Sequence, residues 1–168
     1  MLRLLKPDET MMEEILRYND AWKERGLNLV PHAAKLGSLS FGDWLKNTRD
    51  LETVAEEPFV TQEVWFLFSG DTIVGACTLR HSLNAYLLAV GGQIGYGVHP
   101  EERKNGYATY MLEKTLRYAK SKGLKKILVT CTVGNTASEK TKEKCGGIFE
   151  NIMEDGENRV ARYWFHLQ

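Results

Sequence analysis

The sequence lacks several features that would at once assign it to a broad class of proteins. Its 168 residues carry 22 basic and 22 acidic side chains, which argues against a wide basic surface for nucleic acid or anionic membrane. No apolar run approaches the ~20 residues of a membrane-spanning helix. The stretch from Met1 to Pro7 is too short and too soon charged for a signal peptide. We therefore expect a cytoplasmic protein without nucleic-acid or membrane partners.

Residues that bind metals or form disulfides are also few. The three cysteines form no C-x-x-C pair and are scattered, at Cys77, Cys131 and Cys145, as is typical of buried thiols in a reducing compartment. The four histidines show no ligand spacing, so we expect no metal site. The length predicts one domain, residues 1–168, and no repeat or linker interrupts it.

What the sequence does contain is a glycine-punctuated stretch from Gly91 to Ala108. Its first part reads as a strand in which glycines indicate a bulge or the close approach of another backbone. Its second part reads as a loop and a helix start, where unpaired N–H groups and the helix dipole favour an anion. Gly106 would let a phosphate approach these amides, and Arg103 and Lys104 add positive charge.

The elements around this stretch follow from hydrophobic periodicity. The helix after it is expected to end at Gly123, and Leu124 to Cys131 to form a buried strand parallel to the preceding one. A further helix is expected from Thr136 to Cys145, with Lys140, Lys142 and Lys144 exposed, and then a terminal hairpin of residues 148–154 and 158–167. This aromatic hairpin either closes the sheet or pairs with another subunit.

The N-terminal half predicts a short strand at Leu2 to Leu5, two amphipathic helices, and a hairpin around Ser69-Gly70-Asp71. Thr10 and Glu13 are spaced as a capping box for the first helix, and Ser40 and Asp43 open the second. We interpret the stripe of the second helix as packing: Phe41, Trp44, Leu45 and Thr48. Residues 82–90 are either a loop or the start of the fourth strand.

The loop Arg103-Lys104-Asn105-Gly106-Tyr107-Ala108 resembles the R/Q-x-x-G-x-G/A signature of the GCN5-related N-acetyltransferases (GNAT). Val98-His99-Pro100 resembles the family's V-x-P end of strand four, and Asn135 its N-x-x-A helix start. Gly146-Gly147 is similar to one branch of the family. The resemblance implies an α/β (α+β) fold: a mixed, mostly antiparallel sheet of about seven strands with about four helices. Strands four and five would be parallel and splayed.

The resemblance also implies acetyl transfer from acetyl-CoA to a primary amine of a small molecule, peptide or protein, by a monomer or homodimer. The backbone amide of Val98 would hold the oxyanion. The residues implied in binding the cosubstrate are Val98, Arg103, Lys104, Asn105, Gly106, Tyr107, Ala108, Asn135 and Lys142. In the family the two N-terminal helices wall the acceptor pocket.

The sequence departs from the family at the catalytic groups. Lys142 stands where many members carry a tyrosine that protonates the thiolate, and strand four has no carboxylate. We interpret Lys142 as a binding or surface residue. Tyr96 and Gln93 are candidate catalytic side chains, with a role as sheet side chains as the alternative, and His99 reads as a turn residue. The departures leave open a non-catalytic protein that binds acetyl-CoA or another acyl-CoA and serves as a sensor or an interaction module. A nucleoside-triphosphate site is disfavoured because no G-K-[ST] ending is present.

Overall fold

The hydrophobic patterns fold into seven strands and four α-helices in the computed structural model, which describes all 168 residues. The strands are β1 (Leu2–Leu5), β2 (Gln62–Ser69), β3 (Thr72–Arg80), β4 (Ile94–Val98), β5 (Lys126–Thr132), β6 (Ile148–Asp155) and β7 (Asn158–His166). The helices are α1 (Met12–Glu24), α2 (Phe41–Asp50), α3 (Tyr107–Ser121) and α4 (Thr136–Lys144). None of these helices combines the length and the apolar character needed to cross a lipid bilayer.

The strands form two antiparallel sheets, of order β1-β2-β3-β4 and β5-β7-β6. Strands β4 and β5 are the facing edges, and the backbone N–H of Gln93 donates to the carbonyl of Leu128 at 2.7 Å. The expected α/β class with a mostly antiparallel sheet is confirmed. The parallel pairing of strands four and five stays a prediction, because no ladder of hydrogen bonds joins them. The aromatic strand β7 lies inside its sheet, and β6 forms the outer edge.

Helices cover both faces of the first sheet, because alternate strand residues point to opposite faces. On one face α3 buries Met111 and Leu112 in a cluster of 15 residues that extends to β5 and β7. On the other face α1 and α2 bury Ile15 and Trp44 against Phe66 in a cluster of 13 residues. The interpretation of the α2 stripe as packing is confirmed: Trp44, Leu45 and Thr48 are all buried.

The ends of the helices confirm one local expectation and correct another. The carboxylate of Asp8 accepts the backbone N–H of Thr10 at 2.9 Å, so the first helical segment is capped by Asp8 and the expected Thr10–Glu13 capping box is wrong. Ser40 caps α2 as expected, by accepting the N–H of Asp43 at 3.1 Å. Before β4 the chain forms a π-helical turn, Leu87–Gly91, which the glycine pattern did not indicate.

The glycines of β4 mark the close approach of another segment, as expected. A Cβ atom at Gly97 would lie 2.0 Å from the carbonyl oxygen of Val30, and one at Gly95 would lie 3.1 Å from Pro31. The connection between α1 and α2 therefore crosses this face of β4 in direct contact. Tyr96 and Val98 alternate with these glycines and pack on the face that α3 covers.

Substituting Gly97 with alanine tests this crossing. The added methyl group must displace the Val30 carbonyl, and such overpacking typically costs about 1–3 kcal/mol. Gly42→Ala is the matched control, because Gly42 lies in α2 with nothing within 4 Å of its Cβ position. Urea unfolding should show a loss of about 1–3 kcal/mol for Gly97→Ala and none for Gly42→Ala. Equal stability of the two variants would mean that the crossing is not held in contact.

Candidate functional site

The N-terminus of α3 presents backbone donors that nothing in the protein accepts. Gly106 is the N-cap residue and supplies no side-chain hydrogen bond. The first N–H group with a backbone partner is that of Tyr110, which donates to Gly106 at 3.1 Å. The amides of Tyr107, Ala108 and Thr109 are therefore free. A helix of 15 residues with three free amides and no acidic residue in its first turn is a site for an anion.

The loop before α3 folds so that its charged side chains surround these amides without covering them. Arg103, Lys104 and Asn105 are all exposed. Gly106 has φ 80°, and a Cβ atom there would meet nothing within 4 Å, so the space over the amides is open. Lys104 is also left-handed, with φ 67°, which is a strained conformation for a non-glycine residue. An open, glycine-capped helix end beside two cations fits a pyrophosphate group.

A second set of free backbone groups lies on β4. His99 donates its N–H to Val74 of β3 at 2.8 Å, and successive amides of a strand point to opposite edges. The amides of Tyr96 and Val98 therefore point away from β3, toward the edge that no strand pairs. This is the position that the sequence assigned to the oxyanion donor, Val98.

Gln93 joins the two sheets where this free edge begins. Its backbone N–H donates to the Leu128 carbonyl at 2.7 Å, and its side-chain Oε1 accepts the Leu128 N–H at 3.1 Å. The side-chain Nε2 lies 3.5 Å from the Arg80 carbonyl. Gln93 is buried, and these contacts occupy both ends of its amide. This geometry favours the structural role of Gln93 in the sheet over a catalytic role. The catalytic role of Gln93 stays a prediction.

Tyr96 takes part in a cluster that connects β4 to α4. The Lys142 amino group donates to Tyr96 Oη at 3.0 Å and to Ser138 Oγ at 2.6 Å, and the two hydroxyl oxygens are 3.1 Å apart. Lys142 is only 1% exposed. The expectation that Lys142 is exposed beside Lys140 and Lys144 is therefore wrong. Those two side chains do face solvent, whereas Lys142 lies one helical turn after Ser138 on the inner face of α4.

Asn135 has a defined structural role beside this cluster. Its Oδ1 accepts the backbone N–H of Ser138 at 3.3 Å and so caps α4. Its predicted contact with the cosubstrate is not needed to explain its position. Asn135 instead fixes the residue whose hydroxyl contacts Lys142, so it acts on the cluster through the helix end.

His99 occupies the turn that the sequence assigned to it. Its ring Nδ1 accepts the backbone N–H of Glu101 at 3.1 Å, and its ring centroid is 5.9 Å from that of Tyr18. These contacts hold the loop between β4 and α3 in place.

Two of the three cysteines are poor candidates for a covalent nucleophile. All three cysteines are free, and burial raises the pKa of the Cys77 thiol to about 12. Burial also raises the pKa of Cys145. No group of three or more histidine, cysteine or acidic side chains could hold a metal ion. The site therefore offers hydrogen-bond donors, hydroxyl groups and one buried amino group.

A cavity of about 1180 Å³ lies on the opposite face of the first sheet, where α1 and α2 pack. It is enclosed by the end of α2, the connection from α2 to β2, and the segment before β4; its polar lining residues include Asn47, Asp50, Gln62, Arg80 and Asn84. Arg80 donates to the carbonyls of Gly91 and Gly92 at 3.3 and 3.1 Å. Burial lowers the pKa of its guanidinium group.

Sequence reasoning missed Ser138 and the residues of this cavity. Ser138 and Lys142 are four residues apart, and that spacing could have placed both on one face of the helix. Asn47 and Asp50 lie on α2 away from the apolar stripe. The amphipathic pattern therefore predicts that they are on the polar face of the helix, but not that they line a cavity. Arg80 ends a strand, and no local pattern indicates that its side chain lines a cavity.

Comparison with protein families connects this geometry to a known group. The model of the acetyltransferase (GNAT) family matches residues 33–146, which contain α2, the cleft between the facing edges of β4 and β5, the 103–106 loop and α4. No curated protein sequence matches the chain.

Solved structures share the fold over nearly the whole chain at low identity. The GNAT-family acetyltransferase from Streptococcus pneumoniae has a TM-score of 0.73 at 14% identity and covers 100% of both chains. The microcin C7 self-immunity acetyltransferase MccE, in complex with acetyl-CoA and AMP, has a TM-score of 0.72 at 16% identity, covering 98% of this chain and 92% of its own. An acetyltransferase from Salmonella typhimurium that modifies the N-terminal serine of ribosomal protein L7/L12 has a TM-score of 0.69 at 13% identity, covering 99% and 95%.

The α3 N-terminus is tested by two substitutions at Gly106. Both Gly106→Ala and Gly106→Glu place a Cβ atom at a left-handed residue, which costs roughly 1–2 kcal/mol of stability. Only the glutamate adds negative charge in front of the free amides. We expect Gly106→Glu to abolish calorimetric binding of acetyl-CoA, with Gly106→Ala within about tenfold of wild type. Equal affinity of Gly106→Glu and wild type would exclude this helix end as the binding site.

Asn135→Ala tests the cap of α4. Losing the bond to the Ser138 amide should lower the free energy of unfolding by about 1 kcal/mol. Because Ser138 contacts Lys142, we also expect a several-fold loss of acetyltransferase activity, measured as kcat/KM. Asn135→Ser keeps a capping oxygen and should recover most of both properties. If the alanine variant matches wild type in chemical denaturation and in kinetics, the cap is dispensable.

Proposed function

Because the chain belongs to the GNAT acetyltransferase family, with acetyl-CoA as cosubstrate, we propose that it transfers the acetyl group to a primary amine. The acceptor is the amine of a small molecule, a peptide or a protein. The observation that carries the proposal is the pair of free backbone donor sets, at the α3 N-terminus and on the edge of β4. The first suits the pyrophosphate of the cosubstrate and the second suits its thioester.

Different residues bind different parts of the cosubstrate. The amides of Tyr107 and Ala108, with Arg103, Lys104 and Asn105 around them, hold the pyrophosphate. The free edge of β4 offers the pantetheine arm the hydrogen bonds that a neighbouring strand would make. The Val98 amide is directed at the thioester oxygen and stabilises the negative charge that develops there. Catalysis then rests on proximity and on this backbone donor, without a protein nucleophile.

We propose that the acceptor enters through the cavity on the α1 and α2 side. Arg80 lines the cavity and donates to the carbonyls of Gly91 and Gly92, just before β4. We therefore expect an amine within the cavity to approach β4 from the face opposite α3. Asp50 and Glu56 line its wall and can attract a protonated amine, while Phe59 and Tyr86 offer apolar surface. Related structures include an enzyme for a protein N-terminus and the spermidine/spermine N-acetyltransferase SpeG of Vibrio cholerae, so amines of both kinds are reasonable acceptors.

The proposal also covers the location and the assembly state of the enzyme. We propose a cytoplasmic enzyme that acts as a monomer or homodimer without nucleic acid. In a homodimer, we propose pairing through the outer edge strand β6, which has Ile148, Phe149 and Ile152 at its surface.

One observation favours a second function, that of a sensor that binds acetyl-CoA without catalysing its reaction with an amine. The free edge of β4 carries no carboxylate, and the helix position where many family members place a tyrosine is occupied by Lys142. Such a protein would bind acetyl-CoA with the same residues and release no free thiol in the presence of amines.

Measuring thiol release separates the two functions. The wild-type protein is first tested by thermal shift with acetyl-CoA, CoA and ATP, and we expect stabilisation by the first two only. It is then incubated with acetyl-CoA and a panel of amino acids, polyamines and peptides with free N-termini. Amine-dependent release of CoA, with an acetylated product in mass spectrometry, is expected for at least one acceptor class. Binding without release across the panel would favour the sensor, and stabilisation by ATP alone would contradict both functions.

A further inference from the structure

Lys142 is the most deeply buried cation of the chain, and no carboxylate accompanies it. Its side chain is 1% exposed. Its amino group contacts Tyr96 Oη at 3.0 Å, Ser138 Oγ at 2.6 Å and the Ser138 carbonyl at 3.5 Å, all of them uncharged oxygens. None of the nine ion pairs of the protein includes it. A buried charge without a counter-ion is costly, so this amino group suits an anion that comes from outside the chain.

The cluster faces the place where the proposed reaction creates such an anion. Tyr96 lies two residues before Val98 on β4, roughly 7 Å along the strand. Both residues pack on the α3 face and belong to the same unpaired edge. When the thioester bond breaks, the electron pair leaves on the sulfur next to the carbonyl group that the Val98 amide holds. The nearest hydroxyl on this strand is that of Tyr96.

The hydrogen bonds leave the Tyr96 proton available. A protonated amine has three N–H donors, and Lys142 finds three acceptor oxygens for them. The oxygen of Tyr96 is thus an acceptor toward Lys142, and its own hydroxyl proton can turn to Ser138 Oγ, 3.1 Å away, or into the cleft. The amino group also lies 5.0 Å from the centroid of the Tyr96 ring, which holds the two side chains together.

We propose that the Tyr96 hydroxyl donates its proton to the departing CoA sulfur, and that Lys142 stabilises the resulting phenolate and the thiolate before it. The inference rests on the acetyl transfer proposed above. The acceptor nitrogen forms a bond to the carbonyl carbon, the C–S bond breaks with its electron pair on sulfur, and the Tyr96 proton moves to sulfur. The acylated nitrogen loses its extra proton to water, and Tyr96 regains one from water.

Lys142 is then a positioning residue and Tyr96 the catalytic one. A phenol is ordinarily a weaker acid than a thiol, so the transfer needs a positive charge beside the phenol oxygen. Lys142 supplies that charge at 3.0 Å from the α4 side, and the hydroxyl belongs to β4, where the reacting atoms lie.

Tyr96→Phe is the first test, with Tyr110→Phe as its control. Tyr110 lies on α3, and its hydroxyl contacts the Leu2 carbonyl at 3.4 Å, away from the cleft. With an amine that is turned over, we expect Tyr96→Phe to lower kcat by ~100-fold or more, to leave the KM for acetyl-CoA within about threefold, and to remove the alkaline limb of the pH profile. Tyr110→Phe should keep wild-type kinetics. A kcat within about fivefold of wild type for Tyr96→Phe would overturn the assignment.

Lys142→Met is the second test, and its measurement does not require a catalysed reaction. In the complex with CoA, the ultraviolet absorbance of the thiolate is followed against pH. The pKa of the bound CoA thiol should be about one unit higher in Lys142→Met than in wild type. It should be unchanged in Lys140→Met, because Lys140 is an exposed lysine of the same helix. Removing a buried charge with a side chain of similar volume should also leave the melting temperature equal or raised. An unchanged thiol titration in Lys142→Met would overturn the role of the lysine.

The outcomes separate this inference from the function on which it rests. If wild-type protein does not bind CoA in calorimetry, the proposed function fails and this inference with it. If CoA binds and an amine is acetylated, while Tyr96→Phe and Lys142→Met behave as their controls, only this inference is wrong. If CoA binds and no amine is acetylated, the thiol titration alone decides whether the cluster acts on the sulfur.

Discussion

Because Gln93 joins β4 to β5 at Leu128 and no ladder bond follows, the edge of β4 that faces β5 is left with free backbone amides. An unpaired strand edge is normally covered or shortened, since buried donors without acceptors are costly. Here the edge lies between two sheets and leads to the open N-terminus of α3. The glycines at 95 and 97 let the α1–α2 connection support the strand from its other face. The rest of the fold holds this single edge in position.

The chemistry that this edge supports needs little from side chains. Backbone amides fixed by a strand and a helix are already oriented before the substrate arrives, so no reorganisation is needed when charge develops. The side chains that do reach the edge, Tyr96, Ser138 and Lys142, come from elements on both sides of the cleft. Proton transfer is therefore coupled to the relative position of β4 and α4, which the Asn135 cap and the packing of α4 on α3 maintain.

Much of the fold follows from local patterns in the sequence. The helix and the strand that follow the glycine-rich stretch, and the hairpin at Ser69-Gly70-Asp71, depend on glycine positions and on periodicity, and they form where expected. Gly91, at the start of that stretch, belongs to a π-helical turn and not to a strand. The open N-terminus of α3 was also predictable, because free amides at a glycine-capped helix end depend on no distant residue. Lys142 was misplaced because exposed lysines at 140 and 144 suggested a solvated run, whereas a helix turns every 3.6 residues. The cavity was not predictable, since Asn47 and Arg80 meet only through the tertiary fold.

The central claim is that the cosubstrate occupies the free edge of β4 and the amides of α3. Backbone hydrogen exchange, measured residue by residue in the presence and absence of acetyl-CoA, tests it most directly. We expect slower exchange at Tyr96 and Val98 and at residues 107–109 on binding, with the outer strand β6 unchanged. Saturating acetyl-CoA that leaves the exchange of Val98 and of residues 107–109 unchanged, or protects another face of the protein instead, would contradict it.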